Sequence, residues 1–462
     1  MENGLFIFRR DLRLVDNNGL NLLNTKCKNI YTIFIFTPEQ VSSSNTYKSK
    51  NCVQFMIESL KDLESEISKK GGKLYTFYGD NNKVISECID AWNINLVCFN
   101  LDITPYARER DQNIIELCEK KQVYVMYDWD YTLHPPDSIM SGAGTPYQKF
   151  TPYYNAAMRE KIEKPSNMKV LHLTKTQKTT EYLTQHKITL DSAMEKFTKE
   201  NPDIIVHGGR ENGLKTLRSA IKSQSYYSKT HNTLSIHTSL LSAYIKFGCV
   251  SIREVYAAFH GNRDFIRQLF WRDFYAQVLY HFPHVLNKSL KPNYDKIKWH
   301  SNASWFEKWC DGNTGFPIVD ACMKQLNTTG WLHNRGRLIV ASFLVKTLLI
   351  DWRKGEKYFA QQLVDYDVAN NNGNWAWVSS SGADAQPYFR IFNPWEQSKK
   401  YDTDCTYIKE WLPELKDVPD KDIHNWANTW EKYKTQIDYP KPICDYTEQK
   451  KKALAMYKEI YN

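Results

Sequence analysis

The sequence predicts an α/β amino-terminal domain, built on a doubly wound parallel sheet, followed by an all-α carboxy-terminal domain. Three observations carry this. Over residues 1–130 short β-rich runs alternate with helical patterns; over 131–195 the alternation gives way to turn chemistry and a polar stretch; and over 196–462 apolar residues recur at helical spacing with few alternating runs. Strands separated by whole helices read as βαβ units in a parallel sheet.

The β-rich runs are Leu5 to Phe8, Ile30 to Phe36, Leu74 to Tyr78, Leu96 to Phe99 and Val123 to Tyr127. Between the second and third, Asn51 to Lys70 places Val53, Met56, Ile57, Leu60, Leu63 and Ile67 on one helical face. Such a sheet carries ligands at the carboxyl ends of its strands. No GxGxxG follows the first run and no GxxxxGK[ST] occurs anywhere, which argues against an ordinary dinucleotide or P-loop site. The next segment holds His134-Pro135-Pro136-Asp137, Ser141-Gly142-Ala143-Gly144 and the Lys/Thr-rich Thr174 to Thr180, and reads as an interdomain linker. Beyond it, Ile252 to Phe259, Phe265 to Tyr280, Asp320 to Leu326, Arg335 to Leu349 and Glu448 to Tyr461 carry 3.6-period apolar faces.

At 462 residues the chain has ample material for a large core, and 42% hydrophobic with 24% charged residues is a globular composition. Lys and Arg number 61 against 52 Asp and Glu, a balance of +9 that suits a polyanionic partner without requiring one. Ten cysteines form no CxxC and no close Cys/His cluster, so neither a metal site nor a disulfide framework is expected. The start, MENGLFIFRRDLR, has acid before a short apolar run and arginines after it, the reverse of a secretory signal. The longest apolar stretch, Leu338 to Ile350, is interrupted by Lys346 and is too short for a bilayer. A cytoplasmic or nuclear protein with no membrane role is expected. The 14 tryptophans are unevenly placed: only Trp92 and Trp129 precede residue 271.

The densest block runs from Gly330 to Pro394. Arg337 is followed 28 positions later by Asp365 and then by Asp367, a spacing open to a buried ion pair or a polar cofactor anchor. The run Ala369 to Trp375, with four asparagines and a glycine, is a poor helix and a poor strand and reads most simply as a turn. Its other reading is a set of amides aimed at a heteroaromatic ligand, since Asn donates and accepts without ionising.

FIFRRDLRLVDN, the TSLLSAYIKFG run (Thr238 to Gly248), FWRDFY (Phe270 to Tyr275), TGFPIVDACMKQL, TGWLHNRGR and NNGNWAWVSSSGADAQPYFRIFNP together resemble the DNA photolyase/cryptochrome family, in the family's order and over nearly the whole chain. The nearest resemblance is to class I-type cyclobutane pyrimidine dimer photolyases. It implies an antenna domain (1–130), a linker (131–195) and a helical FAD-binding catalytic domain (196–462), with reduced FAD as the active cofactor and UV-damaged DNA as the partner of a monomer.

Carried over by position, the resemblance assigns Tyr227, Thr238, Ser239, Leu240, Leu241 and Ser242 to the flavin's phosphates and ribose. Phe265, Gln268, Arg272, Trp331, Asn334, Arg337, Asp365, Asp367 and Asn371 complete the cofactor set. Asn371 falls where the family faces flavin N5, as a neutral acceptor. Trp375, Trp352 and Trp299 match an electron-transfer triad, and Trp271 with Trp377 a clamp for a flipped dimer. Asn334 matches a lesion contact, and Arg335 and Arg390 match positions near the DNA backbone. Each tryptophan taken alone would read as core packing.

The chain also departs from the family's pattern. A family arginine four residues beyond Tyr227 is His231. The glutamate expected three residues before Trp271 is Gln268, and the methionine expected three after Arg335 is Leu338. Gln268 is shared with (6-4) photolyases, yet the paired histidines of that chemistry are absent where Asn334 and Leu338 stand. Tyr106-Ala107 replaces an Asn-Glu pair used for folate, so a second chromophore is left without an identity and folate is disfavoured. The expected reaction is light-driven splitting of cyclobutane dimers. The rivals are a (6-4) photolyase and a cryptochrome photoreceptor.

Overall fold

The computed structural model describes residues 1–460 apart from Asn167, Lys169 and His237. Five parallel strands, β1 (Asn3–Phe8), β2 (Asn29–Phe36), β3 (Leu74–Tyr78), β4 (Leu96–Asn100) and β5 (Tyr124–Asp128), lie in the order β3-β2-β1-β4-β5. Each is within two residues of the run expected from sequence. Alternate side chains enter two different cores. Phe6, Phe8, Ile30, Phe34 and Phe36 face the core shared with the helical half, while Leu5, Ile7, Ile33, Ile35 and Val97 face a second core on the other side. Burial on both faces is what makes these runs almost continuously apolar.

The helices named below are α1 (Lys50–Lys69), α2 (Phe150–Ala157), α3 (Glu181–His186), α4 (Leu190–Phe197), α5 (Ser242–Lys246), α6 (Arg263–His281), α7 (Asn334–Lys346), α8 (Trp352–Gln362), α9 (Val368–Val378) and α10 (Tyr446–Glu459). Helix α1 starts where Ser49 accepts from the Cys52 N–H at 3.1 Å and buries Val53, Ile57, Leu60, Leu63 and Ile67.

The stretch 131–195 is folded against both halves, α2 on α6 and α3 on β3. It carries α2, α3 and the start of α4, and the backbone at His172 and Thr174 hydrogen-bonds Ile30 on β2. Its turn-rich composition reports the chain reversals between these short helices. Helix α7 stops at Lys346, three residues before the apolar periodicity ends, because Leu349 takes φ +59° and turns the chain.

The asparagine run corrects the turn reading: residues 368–378 are helical. Asp367 caps α9 by accepting from the Asn370 N–H at 3.0 Å. Two of the amides that would compete for the backbone are occupied elsewhere, Asn371 on Glu356 and Asn372 on the Val285 carbonyl at 3.1 Å, while Asn374 bonds back to the Asn370 carbonyl of its own helix at 2.8 Å. Gly373 lets the ring of Tyr275 on α6 pack directly against the helix: a Cβ there would lie 2.2 Å from Tyr275 Cδ1. Tertiary partners thus override weak propensity.

The halves meet through buried charge. Arg13 pairs with Asp130 at 2.5 Å, and Arg253 pairs with Asp16 at 3.0 Å and with Asp130 at 2.7 Å, all four side chains at most 5% accessible. Beside them Gly248, at φ +64°, admits the Arg10 carbonyl to a place where a Cβ would lie 2.3 Å away. No helix among the described residues is long and apolar enough to cross a membrane.

Candidate functional site

A cavity of about 330 Å³ opens in the helical half, within the range of small-molecule sites. Its wall includes all fifteen residues that the resemblance assigns to the cofactor. The loop before α5 supplies Thr238, Ser239, Leu240 and Leu241. Leu240 takes φ +53°, and the N-cap position of α5 falls on Leu241, which makes no side-chain cap, so Thr238 and Ser239 do not serve as the helix's cap. Helix α6 contributes Phe265, Gln268 and Arg272, and α7 contributes Asn334 and Arg337. Gln268 and Asn334 are exposed at the mouth, whereas Asn371 and Trp375 on α9 are buried.

Arg337 donates from Nη2 to both Asp365 oxygens, at 3.2 and 2.9 Å, and from Nε to the Leu332 carbonyl at 2.8 Å. The pair expected from sequence is therefore formed, with the aspartate buried and the arginine partly open to the cavity. Asp367 is held by Arg10 and by the Tyr131 hydroxyl at 2.5 Å. Burial would raise its carboxyl, but Arg10 and Arg272 outweigh burial and hold it well below the ordinary range.

Asn371 donates from Nδ2 to the Glu356 carbonyl at 2.9 Å and to Glu356 Oε1 at 3.1 Å. With its amide nitrogen committed to α8, its oxygen is left for the cavity. Burial pushes the Glu356 carboxyl up to about 7, against the opposing pull of its hydrogen bonds with Asn371 and Tyr47.

The three tryptophans of the expected chain differ in depth. Trp375 lines the cavity, Trp352 is fully buried and Trp299 is half-exposed. Trp309, otherwise a packing residue, lies edge-on to Trp375 with ring centroids 6.2 Å apart.

Trp271 and Trp377 do not line the cavity itself. They stand half-buried on α6 and α9, which pack together, and Trp271 stacks on Phe150 of α2 with centroids 3.7 Å apart at 7°. Arg335 is committed to Asn232 Oδ1 at 2.6 Å and to the Tyr401 ring at 4.3 Å. Arg390 is exposed on the loop after α9, and its carbonyl accepts from the buried Lys346 ammonium at 3.1 Å, which also donates to Ser380 Oγ at 3.1 Å. Burial and nearby Arg390 lower Lys346 to about 7.

Sequence reasoning missed Lys246 in the wall and Glu356 behind it, and reached Asn370 and Asn374 only as members of the amide run. Lys246 sits four residues after Ser242, on the same face of α5, a spacing that signals a shared wall. Glu356 had no local signal.

A model of the FAD-binding domain of DNA photolyase matches residues 265–459, and a DNA photolyase model matches residues 5–169. Over 473 residues the chain is 36% identical to the deoxyribodipyrimidine photo-lyase of Alkalihalophilus pseudofirmus, with 98% of this chain and 97% of the relative covered. The chain belongs to the DNA photolyase family. The deoxyribodipyrimidine photo-lyase of Escherichia coli is 32% identical across 99% of this photolyase and 98% of its own length. An archaeal photolyase structure from Sulfolobus tokodaii, described with two FAD molecules, is 38% identical with a TM-score of 0.87 over 99% of this chain and 100% of that one. The Synechocystis cryptochrome superposes with the same TM-score of 0.87 at 26% identity, each chain covered to 99%.

FAD fits the residues present. The cavity has hydroxyl-bearing residues at one end, a half-open ion pair along its wall, and Asn371 and Trp375 in its floor, the donors and acceptors that a phosphate-bearing heteroaromatic group requires.

Proposed function

We propose that this photolyase repairs UV-damaged DNA in light by splitting cyclobutane pyrimidine dimers, with FAD held in the cavity. The observation that carries the reading is the convergence on one cavity of the α5 loop, the Arg337–Asp365 pair and Asn371 with Trp375. Bound and reduced, FAD supplies an electron donor that becomes competent on absorbing light. The chain's own residues do the rest.

Tyr227, Thr238, Ser239 and Ser242 would hold the phosphates and ribose, and the Arg337–Asp365 pair would hold the ring. Asn371 offers a neutral acceptor, its orientation kept by Glu356. At the mouth, Asn334 and Gln268 donate amide hydrogens to the thymine carbonyls, and Trp271 and Trp377 clamp the flipped bases. A lesion with weakened stacking is cheaper to extrude than an intact pair, so the clamp selects for damage. Arg390, exposed on its loop, neutralises a backbone phosphate, whereas the Arg335 guanidinium is already taken by Asn232. Trp375, Trp352 and Trp299 give a route from surface to cavity for recharging an oxidised cofactor.

Two features separate this reading from its rivals. The neutral Asn371 suits a cofactor kept reduced, which disfavours a photoreceptor. No histidine stands at Asn334 or Leu338 in the cavity wall, and the neighbouring His333 is buried and caps α7 by accepting from the Arg335 N–H at 3.0 Å, which disfavours (6-4) chemistry. The crevice at the strand ends, about 20 Å³, has room for a water rather than a ring system, and no second chromophore is assigned to it.

The test is direct. Reduced, FAD-loaded protein is mixed with oligonucleotides carrying either lesion, illuminated with blue light, and the restored thymines are counted. Repair of the cyclobutane dimer alone is expected. Repair of neither lesion would overturn the enzyme reading, and repair of the (6-4) product alone would overturn the substrate.

A further inference from the structure

One residue of the sheet domain reaches the wall of the flavin cavity. Arg10 leaves the carboxyl end of β1, beside β4, where the strand order reverses. Its Nη2 donates to Asp367 Oδ2, its Nη1 to the two oxygens of Asp102 at 3.2 and 3.3 Å, and its Nε to the Lys246 carbonyl at 3.4 Å. Its guanidinium also stacks 4.1 Å from the ring centre of Tyr131, and Arg272 stacks on that ring at 3.8 Å. The Tyr131 hydroxyl donates to the same Asp367 oxygen. The other oxygen of Asp367, Oδ1, caps α9, the helix that carries Asn371 and Trp375.

Asp367 lines the flavin cavity, whereas Arg10, Asp102 and Tyr131 line the separate crevice at the strand ends. These four residues form the partition between the two spaces.

We propose that Arg10 is a positioning residue of the flavin site, which holds Asp367 and sets the charge that the bound cofactor meets. A planar fork shared between two carboxylates fixes both, and no single-point cation reproduces that geometry. By this route the sheet domain sets the cofactor's electron affinity, and a charge change at the strand ends is felt in the flavin cavity. The inference rests on the FAD assignment and is independent of which lesion is repaired.

The experiment compares wild type with Arg10→Gln, Arg10→Lys and Asp102→Asn. It measures equilibrium binding of FAD to the apoprotein by fluorescence quenching and the midpoint potential of bound FAD by spectroelectrochemistry. Arg10→Gln removes a cation beside a site that takes on negative charge when reduced. Its midpoint should move negative, and its FAD affinity should fall roughly tenfold or more, as for loss of one charge-assisted hydrogen bond. Arg10→Lys should recover most of the potential but only part of the affinity. Asp102→Asn, outside the flavin cavity, leaves Arg10 less neutralised, so its midpoint should move positive.

Opposite signs for Arg10→Gln and Asp102→Asn are the signature, because a merely structural role would not order them so. Shifts of the same sign, or an Arg10→Gln protein indistinguishable from wild type, would overturn the proposal. Where Arg10→Gln does not fold, an unchanged potential in Asp102→Asn overturns it equally. Wild type that binds no FAD would instead overturn the FAD assignment.

Discussion

Glu356 gives the sharpest pH prediction. Burial carries its carboxyl from an ordinary 4.5 to about 7. Between those values the folded protein keeps a proton that the unfolded chain has released, so stability falls as pH rises across that window, and the loss is complete above about 7. At about 1.4 kcal/mol per pH unit, the displacement from 4.5 to about 7 amounts to about 3 kcal/mol. Glu356→Gln carries a neutral amide at every pH and still offers an oxygen to Asn371. The stability of the variant relative to wild type should therefore rise by about 3 kcal/mol between pH 4.5 and 8, whatever constant offset the substitution adds. The assay is denaturant unfolding of both proteins at matched FAD across that range. Infrared difference spectra should show, in wild type alone, a buried protonated-carboxyl band that disappears near pH 7. A stability difference that stays flat over the range would refute the reasoning.

Three further outcomes are expected. Trp375→Phe should abolish or sharply slow photoreduction of oxidised FAD while sparing repair by chemically reduced enzyme, as followed by flavin absorbance and thymine recovery. Gly355→Ala puts a Cβ 2.3 Å from Trp375 Cη2 and 2.5 Å from Leu344 Cδ2, so unfolding should show a loss of about 1–3 kcal/mol from overpacking, with slower photoreduction from the displaced ring. Arg390→Ala, at an exposed guanidinium, should weaken damaged and undamaged duplex alike and lower the salt-dependence slope by about one.

Much of this molecule is legible in its sequence. The four strands β1 to β4 are read closely because both faces of the sheet are buried there, so each is a nearly continuous apolar run bounded by polar residues such as Arg9 and Asn100; the edge strand β5 is more exposed and is recognised by its β-rich residues. The cavity wall was reached by a different route, from motifs long enough to place single residues such as Thr238 and Asp365. Helix α9 was not read, because its stability comes from Asp367, Tyr275, Val285 and Glu356, none of them visible in the local pattern of Asn residues. Arg10 and Glu356 escaped for a similar reason: each acts on a residue far away in the chain, Arg10 on Asp367 and Glu356 on Asn371. The segment read as a linker has the composition of one, yet its backbone at His172 and Thr174 continues the pairing of β2, a tie that composition does not record.

The buried charges between the two halves also bear on how this protein could be taken apart. A cut near residue 195 would strand Arg253 without Asp16 and Asp130, and a buried charge deprived of its partner costs about 3–5 kcal/mol. The helical half is therefore not a portable flavin module. A chimera that grafts it onto a foreign sheet must transplant Arg13, Asp16, Asp130 and Arg253 as one set. Piecemeal swaps among relatives should fail at this seam even where every residue around the flavin is retained.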